Sequence, residues 1–211
     1  MVKETIVKDG YSIIAVFVIL GILTAVTAGL YWSIIPFGLV IFLLFFFRNP
    51  NRVIEYDDNL ILSPADGLVM AVEDVFDNEY LHEPATKVTI FLSVFDVHIN
   101  RSPIRGEIKY QRYICGGFKA AYKKSASFEN ERHAIGIENE KIKILVSQVT
   151  GLLARRIVSW VTLGYTVEQG QRYGMIKFGS STELILPKNV KVLVKKGSRA
   201  IGGKTVIGRI E

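Results

Sequence analysis

The chain has 211 residues, 49% of them apolar, and a formal charge of +6. That length holds one ordinary domain plus an appendage, and the single cysteine, Cys115, excludes an intramolecular disulfide and a cysteine-built zinc site. The basic residues are scattered and form no recognised nucleic-acid motif, so the charge suits an anionic membrane surface better than nucleic acid.

The apolar content is concentrated near the N-terminus. No charged residue occurs from Tyr11 to Leu30, and about 20 apolar residues at about 1.5 Å rise cover a bilayer core of about 30 Å. A second run, Ser33 to Phe47, is shorter and carries Pro36, so it either spans or re-enters. Neither run has a polar stripe, which argues against a buried helix pair in a soluble protein. A cleaved signal peptide is disfavoured, because the first run is long, lacks a small-residue cleavage site and is followed by another apolar run. Lys3 and Lys8 precede the hairpin, Arg48 and Arg52 follow it, and the connection is uncharged, so both ends are predicted on the cytoplasmic side. Residues 1–48 thus read as a membrane anchor of two hydrophobic helices. Residues 49–211 read as a separate domain on the cytoplasmic face of the cell membrane.

Beyond Asn49-Pro50 the chain breaks into short β-branched runs punctuated by glycine and proline, such as Lys87 to Val94, Lys141 to Val149 and Val190 to Lys195. Leu152 to Ser159 has helical potential, but no long segment keeps a 3.6-residue period. The predicted fold class is mainly β, or β-rich α+β. Val167 to Gln171 leading to Gly174-Met175-Ile176, and Val194 to Ser198 leading to Gly203 through Gly208, each read as strand, glycine turn, strand. Paired hairpins of this kind occur in lipoyl and biotinyl carrier domains, and the shape alone is taken from that analogy.

Three places hold residues able to do chemistry: Ser63-Pro64-Ala65-Asp66-Gly67, Phe95-Asp96-Val97-His98-Ile99-Asn100-Arg101, and Phe178-Gly179-Ser180-Ser181-Thr182. Each alone reads as a turn, a structural histidine or a loop. Together they offer an acid, an imidazole and a hydroxyl, which form a nucleophilic triad if the fold unites them. His82 and His133 sit in charge-rich segments and are expected at the surface, while Cys115 is expected to be a small buried hydrophobe. Arg48 and Arg52 are either contacts for a lipid phosphate or charges that only set topology.

These segments, with Phe47-Arg48-Asn49-Pro50, Asn130-Glu131-Arg132, Gly151-Leu152-Leu153-Ala154-Arg155-Arg156-Ile157 and Gly170 to Ser181, recur in the order of the phosphatidylserine decarboxylase family, whose short, membrane-anchored branch this chain resembles. The resemblance implies self-cleavage between Gly179 and Ser180, leaving a large and a small chain that stay associated. It also implies a covalent pyruvoyl group made from Ser180, with no metal. The substrate implied is a phosphatidylserine-type lipid, diacyl or diether, whose headgroup amine adds to the pyruvoyl carbonyl before carbon dioxide leaves. In this reading Asp66 orients the imidazole, and His98 is the base for Ser180. The sequence departs from the family at Arg101, where longer members often carry a second histidine, so His98 serves both steps or another group takes one. The competing reading is a non-catalytic, membrane-tethered, lipoyl-like adaptor, which predicts one uncut chain; oligomeric state is left open.

Overall fold

The computed structural model describes residues 5–117, 130–151, 156–177 and 180–211. The chain divides into two compact units, Met1–Asn51 and Arg52–Glu211.

In the first unit a single turn, Lys8–Gly10, leads into α1 (Tyr11–Ala28), and Gly29 separates it from α2 (Leu30–Phe46). The helices pack closely where Gly21 faces the ring of Phe37, since a Cβ on Gly21 would lie 2.9 Å from that ring. The hairpin's open end is tied by Val7 N–H to Phe47 O at 3.0 Å and Asn49 N–H to Thr5 O at 2.8 Å. α2 begins earlier than the predicted Ser33, because Leu30, Tyr31 and Trp32 join the helix directly after Gly29. Large apolar side chains such as Val16, Ile19, Val26, Ile34 and Ile41 stay exposed on both helices. The stretch Lys8–Ala28 is long and apolar enough to cross a membrane by length and composition, and Leu30–Phe46 is a shorter apolar helix.

The second unit is strand-rich, as the β-branched runs predict. Its described strands are β1 (Leu60–Leu62), β2 (Gly67–Phe76), β3 (Pro84–Leu92), β4 (Ile99–Arg101), β5 (Gly106–Ile114), β6 (Arg132–Glu138), β7 (Lys143–Thr150), β8 (Arg156–Ser159), β9 (Thr166–Val167), β10 (Arg172–Lys177), β11 (Ser180–Pro187), β12 (Val190–Val192), β13 (Arg199–Ala200) and β14 (Val206–Ile210). Eight of them form one sheet in the order β13-β2-β3-β11-β7-β6-β5-β9, and two three-stranded sheets run β4-β10-β8 and β1-β14-β12. β11 is central in the large sheet, antiparallel to β3 on one side and to β7 on the other. Its alternation puts Leu184 and Leu186 into the main core with Val88, Ile90, Leu92, Val146, Ile135 and Ile137. Burial of that apolar face is the main stabilising contribution, at about 25 cal/mol per Å² removed from water.

Two expectations are corrected here. The glycine turns form as read, with Gly170 at φ 74° and Gly197 at φ 89°, values that glycine alone adopts cheaply. The strands on either side of Gly197, β12 and β14, pair antiparallel, whereas those flanking Gly170, β9 and β10, do not pair with each other. β9 joins β5, β10 lies between β4 and β8, β13 joins β2, and β14 lies between β1 and β12. The two-residue strands β9 and β13 are too short to hold a partner of their own and instead extend edges of the large sheet. The helical potential of Leu152–Ser159 is also not realised where it is described: Arg156–Ser159 is strand β8, held against β10, while 152–155 lie outside the described residues.

Candidate active site

The turn predicted at Ser63–Gly67 joins β1 to β2 and closes on itself, with the Ser63 hydroxyl donating to Ala65 O at 2.7 Å. Its Pro64 carbonyl accepts from the Arg101 N–H at 2.9 Å and from Asn100 Nδ2 at 3.4 Å. The histidine segment is thereby docked onto the turn, more than 30 residues away in sequence. β4 is in turn held by β10, where Met175 opposes Ile99 and Gly174 opposes Asn100, and Ile176 N–H donates to His98 O at 3.1 Å. Ser102 N–H bonds to Gln171 O and Gly170 N–H to Ser102 O, each at 2.8 Å. Segments read separately in the sequence thus assemble around one place.

Ser180 is the first residue of β11. It opposes Leu92 on β3 and Thr150 on β7, so its backbone is fixed from both sides. Thr150 is itself tied to the Asn130-Glu131 landmark, through its N–H to Glu131 O and from Asn130 Nδ2 to Thr150 O at 2.7 Å. The Ser180 side chain is fully buried, and its hydroxyl has no hydrogen-bond partner among the described residues; Ser147 and Tyr173 share that condition. A buried hydroxyl left unbonded costs about 1–3 kcal/mol, so a structural role alone does not account for a hydroxyl at this position. Gly179, on the other side of the expected cut, lies outside the described residues.

His98 is buried, and its Nδ1 is 3.0 Å from the Asp96 carbonyl oxygen. With the proton on Nδ1 that contact is a donated hydrogen bond, which leaves the Nε2 lone pair as the basic one. Asp96 is fixed by the Ser93 N–H at 2.9 Å and by Arg199 Nη2 at 2.7 Å.

Asp66 has a different partner from the one expected. Its Oδ1 and Oδ2 accept from Arg52 Nη1 and Nη2 at 2.6 and 2.7 Å, and Oδ1 also accepts from Gly202 N–H at 2.8 Å. The group beside the imidazole is the Asp96 carbonyl instead. The reason is geometric: a guanidinium fork matches both carboxylate oxygens at once. Arg52, read from sequence as a candidate lipid contact, is therefore buried against Asp66. Arg101 lies in the same cluster and donates to Gly170 O at 2.9 Å. Burial, then the charges of Arg52 and Arg172, hold its pKa down at about 10 against the opposing pull of Asp66.

Two other expectations are overturned. His133 is buried, because it sits on the inward face of β6 opposite Gln148, while its charged neighbour Arg132 turns outward to pair with Glu79 at 2.8 Å. Cys115 is exposed, since it follows the last residue of β5, where the chain leaves the sheet. His82 is exposed as read.

What the sequence reading missed is a row of buried polar side chains. Asn100 Nδ2 donates to Thr182 Oγ1 at 2.8 Å, Gln148 Nε2 to Asn100 Oδ1 at 2.9 Å, and His133 Nδ1 is 3.1 Å from Gln148 Oε1. The signal available was Gln148 itself, a large polar residue inside the apolar run of β7, which cannot be buried without partners.

A family model described as phosphatidylserine decarboxylase matches residues 39–208. A phosphatidylserine decarboxylase proenzyme of Carboxydothermus hydrogenoformans is 52% identical over 197 residues, which is 92% of each chain. Proteins of the same name from Symbiobacterium thermophilum and Geotalea uraniireducens are 43% and 41% identical, over 100% and 96% of this chain and 98% and 95% of theirs. The chain is therefore a carboxy-lyase. The chain belongs to the phosphatidylserine decarboxylase family.

Proposed function

We propose that the chain is a precursor that cuts itself between Gly179 and Ser180, converts Ser180 to a pyruvoyl group, and then decarboxylates a phosphatidylserine-type lipid to its ethanolamine counterpart. The observation that carries this reading is the Ser180 hydroxyl, buried and unbonded among the described residues, on backbone fixed from both sides. Ser180 fits as the source of the group, because nothing described competes for its oxygen.

In the cutting reaction His98 Nε2 takes the Ser180 hydroxyl proton while Nδ1–H stays on the Asp96 carbonyl. The Ser180 oxygen attacks the Gly179 carbonyl, the peptide C–N bond breaks, and an ester replaces it as the Ser180 nitrogen takes up a proton. Removal of the Ser180 α-proton then expels the Gly179 carboxylate. Water replaces the remaining enamine nitrogen, which leaves as ammonia. Asp66 acts at one remove, offsetting the charge of Arg52 and Arg101 beside the histidine segment.

The pyruvoyl group supplies an electron-accepting carbonyl for the pair left by departing carbon dioxide. His98 is the acid that returns a proton to the former α-carbon. The helical hairpin 1–48 is the membrane anchor, which brings residues 49–211 to lipid headgroups on the cytoplasmic face; its length and exposed apolar side chains support that role.

The test is an intact-mass spectrum of the detergent-solubilised protein, with and without an amine and borohydride. Two chains meeting at Gly179 and Ser180, with a trappable carbonyl on the shorter, are expected. One full-length folded chain would overturn the reading.

A further inference from the structure

Five side chains, on five strands of two sheets, form a hydrogen-bond chain with a single direction. Gln111 Nε2 is 2.9 Å from His133 Nε2, and Gln111 Oε1 already accepts from Leu163 N–H at 3.1 Å, so the Gln111 amide donates to the ring. His133 Nδ1 must then carry the proton and donates to Gln148 Oε1 at 3.1 Å. Gln148 Nε2 donates to Asn100 Oδ1, and Asn100 Nδ2 donates to Thr182 Oγ1. Each link fixes the orientation of the next. Burial lowers the His133 pKa, which keeps the ring neutral and the order of donors intact.

The chain joins two sheets at one register. His133, Gln148 and Thr182 are directly opposed across β6, β7 and β11, and Asn100 opposes Gly174 across β4 and β10. Gly174 makes the closeness possible, since a Cβ there would sit 3.1 Å from Gln148 Nε2 and 2.4 Å from Val158 O.

Asn100 and Thr182 each lie two residues after a residue of the proposed chemistry, His98 and Ser180. Side chains two apart on an extended strand share a face, which puts Ser180 beside Thr182 on β11, while His98 immediately precedes β4 with its carbonyl held by Ile176 N–H. We infer that Asn100, Gln148, His133 and Thr182 are positioning residues for self-cleavage: their hydrogen-bond chain crosslinks β4 to β11 and so holds the His98 imidazole on the side where the Ser180 hydroxyl points. This inference rests on the self-cleavage reading and adds to it the device that aligns its two groups.

The test uses the full chain, made by cell-free synthesis with phosphatidylglycerol vesicles, and follows cutting by intact mass over time. Thr182→Val keeps the shape and removes the acceptor; Thr182→Ser restores it. Cutting is expected to slow at least about tenfold in Thr182→Val and to stay within about threefold of wild type in Thr182→Ser, because small misplacements of reacting groups carry large rate costs. Wild-type speed in Thr182→Val would overturn the inference, and so would equal slowing in both variants, which marks a packing effect. If Thr182→Val fails to fold, Gln148→Met decides: slowed cutting with a cooperative unfolding transition supports the inference, and an unslowed rate overturns it. A wild-type chain that never cuts would instead defeat the self-cleavage reading.

Discussion

Arg52 and Asp66 meet through two parallel hydrogen bonds, Nη1 to Oδ1 at 2.6 Å and Nη2 to Oδ2 at 2.7 Å, with little solvent access to either side chain. Gly202 closes the pair from the other side, its N–H on Oδ1 and its carbonyl on Arg52 Nη1. Asp66 is therefore the countercharge of an arginine cluster. Replacing it with Asn keeps the shape and removes the charge that pairs with Arg52 and offsets Arg101. Asp66→Asn is expected to lower stability by about 3 kcal/mol and to slow cutting, read from the urea midpoint and from intact mass. Normal processing would remove Asp66 from the site.

Ser180→Ala deletes a buried hydroxyl that has no partner among the described residues. The variant is expected to stay a single chain and to match or exceed the precursor in stability, since no hydrogen bond is lost and a desolvated polar atom is removed, worth up to about 1–3 kcal/mol. A fall in unfolding temperature would show that the hydroxyl does bond within the fold.

In the proposed mechanism His98 acts in both cutting and turnover. His98→Ala is expected to slow cutting by about 100-fold or more, the usual contribution of a general base. Residual cutting at the wild-type rate with decarboxylation lost would assign the first step to another group and confine His98 to the second.

His133 is a buried imidazole whose pKa lies below the ordinary value of 6.5, chiefly through desolvation, with the Gln148 bond pulling the other way. The unfolded chain then binds the proton more readily than the folded one. Stability from this residue is present above pH 6.5 and is lost as pH falls below it, at a slope of up to about 1.4 kcal/mol per pH unit. His133→Gln is expected to flatten that part of the profile in urea titrations between pH 5 and 7.

Gly174→Ala puts a methyl group 2.4 Å from the Val158 carbonyl oxygen, which belongs to a paired strand and cannot swing aside. The cost expected is about 2 kcal/mol, together with slower cutting, because β10 must move away from Gln148. Thermal unfolding beside the mass assay separates the two effects.

Much of this was legible in the sequence, because it depends on local composition or short motifs. The apolar stretch from Tyr11 to Leu30 names a helix long enough to span, since an uncharged run of that length has no soluble use as an isolated element. Alternating β-branched runs name strands, and Gly170 and Gly197 name turns, because a positive φ excludes most other residues. The order of the motifs around Asp66, His98 and Ser180 names the family.

Only the tertiary structure decided partners. Asp66 pairs with Arg52 rather than the imidazole, and His133 goes inside rather than out, because both outcomes depend on which strand lies opposite, a choice made over separations of many tens of residues. The crosslink from Gln148 through Asn100 to Thr182 belongs to the same class. Its donors and acceptors are ordinary polar residues in the sequence. They acquire direction and purpose only when two sheets close over Gly174 and exclude the water that would otherwise satisfy them.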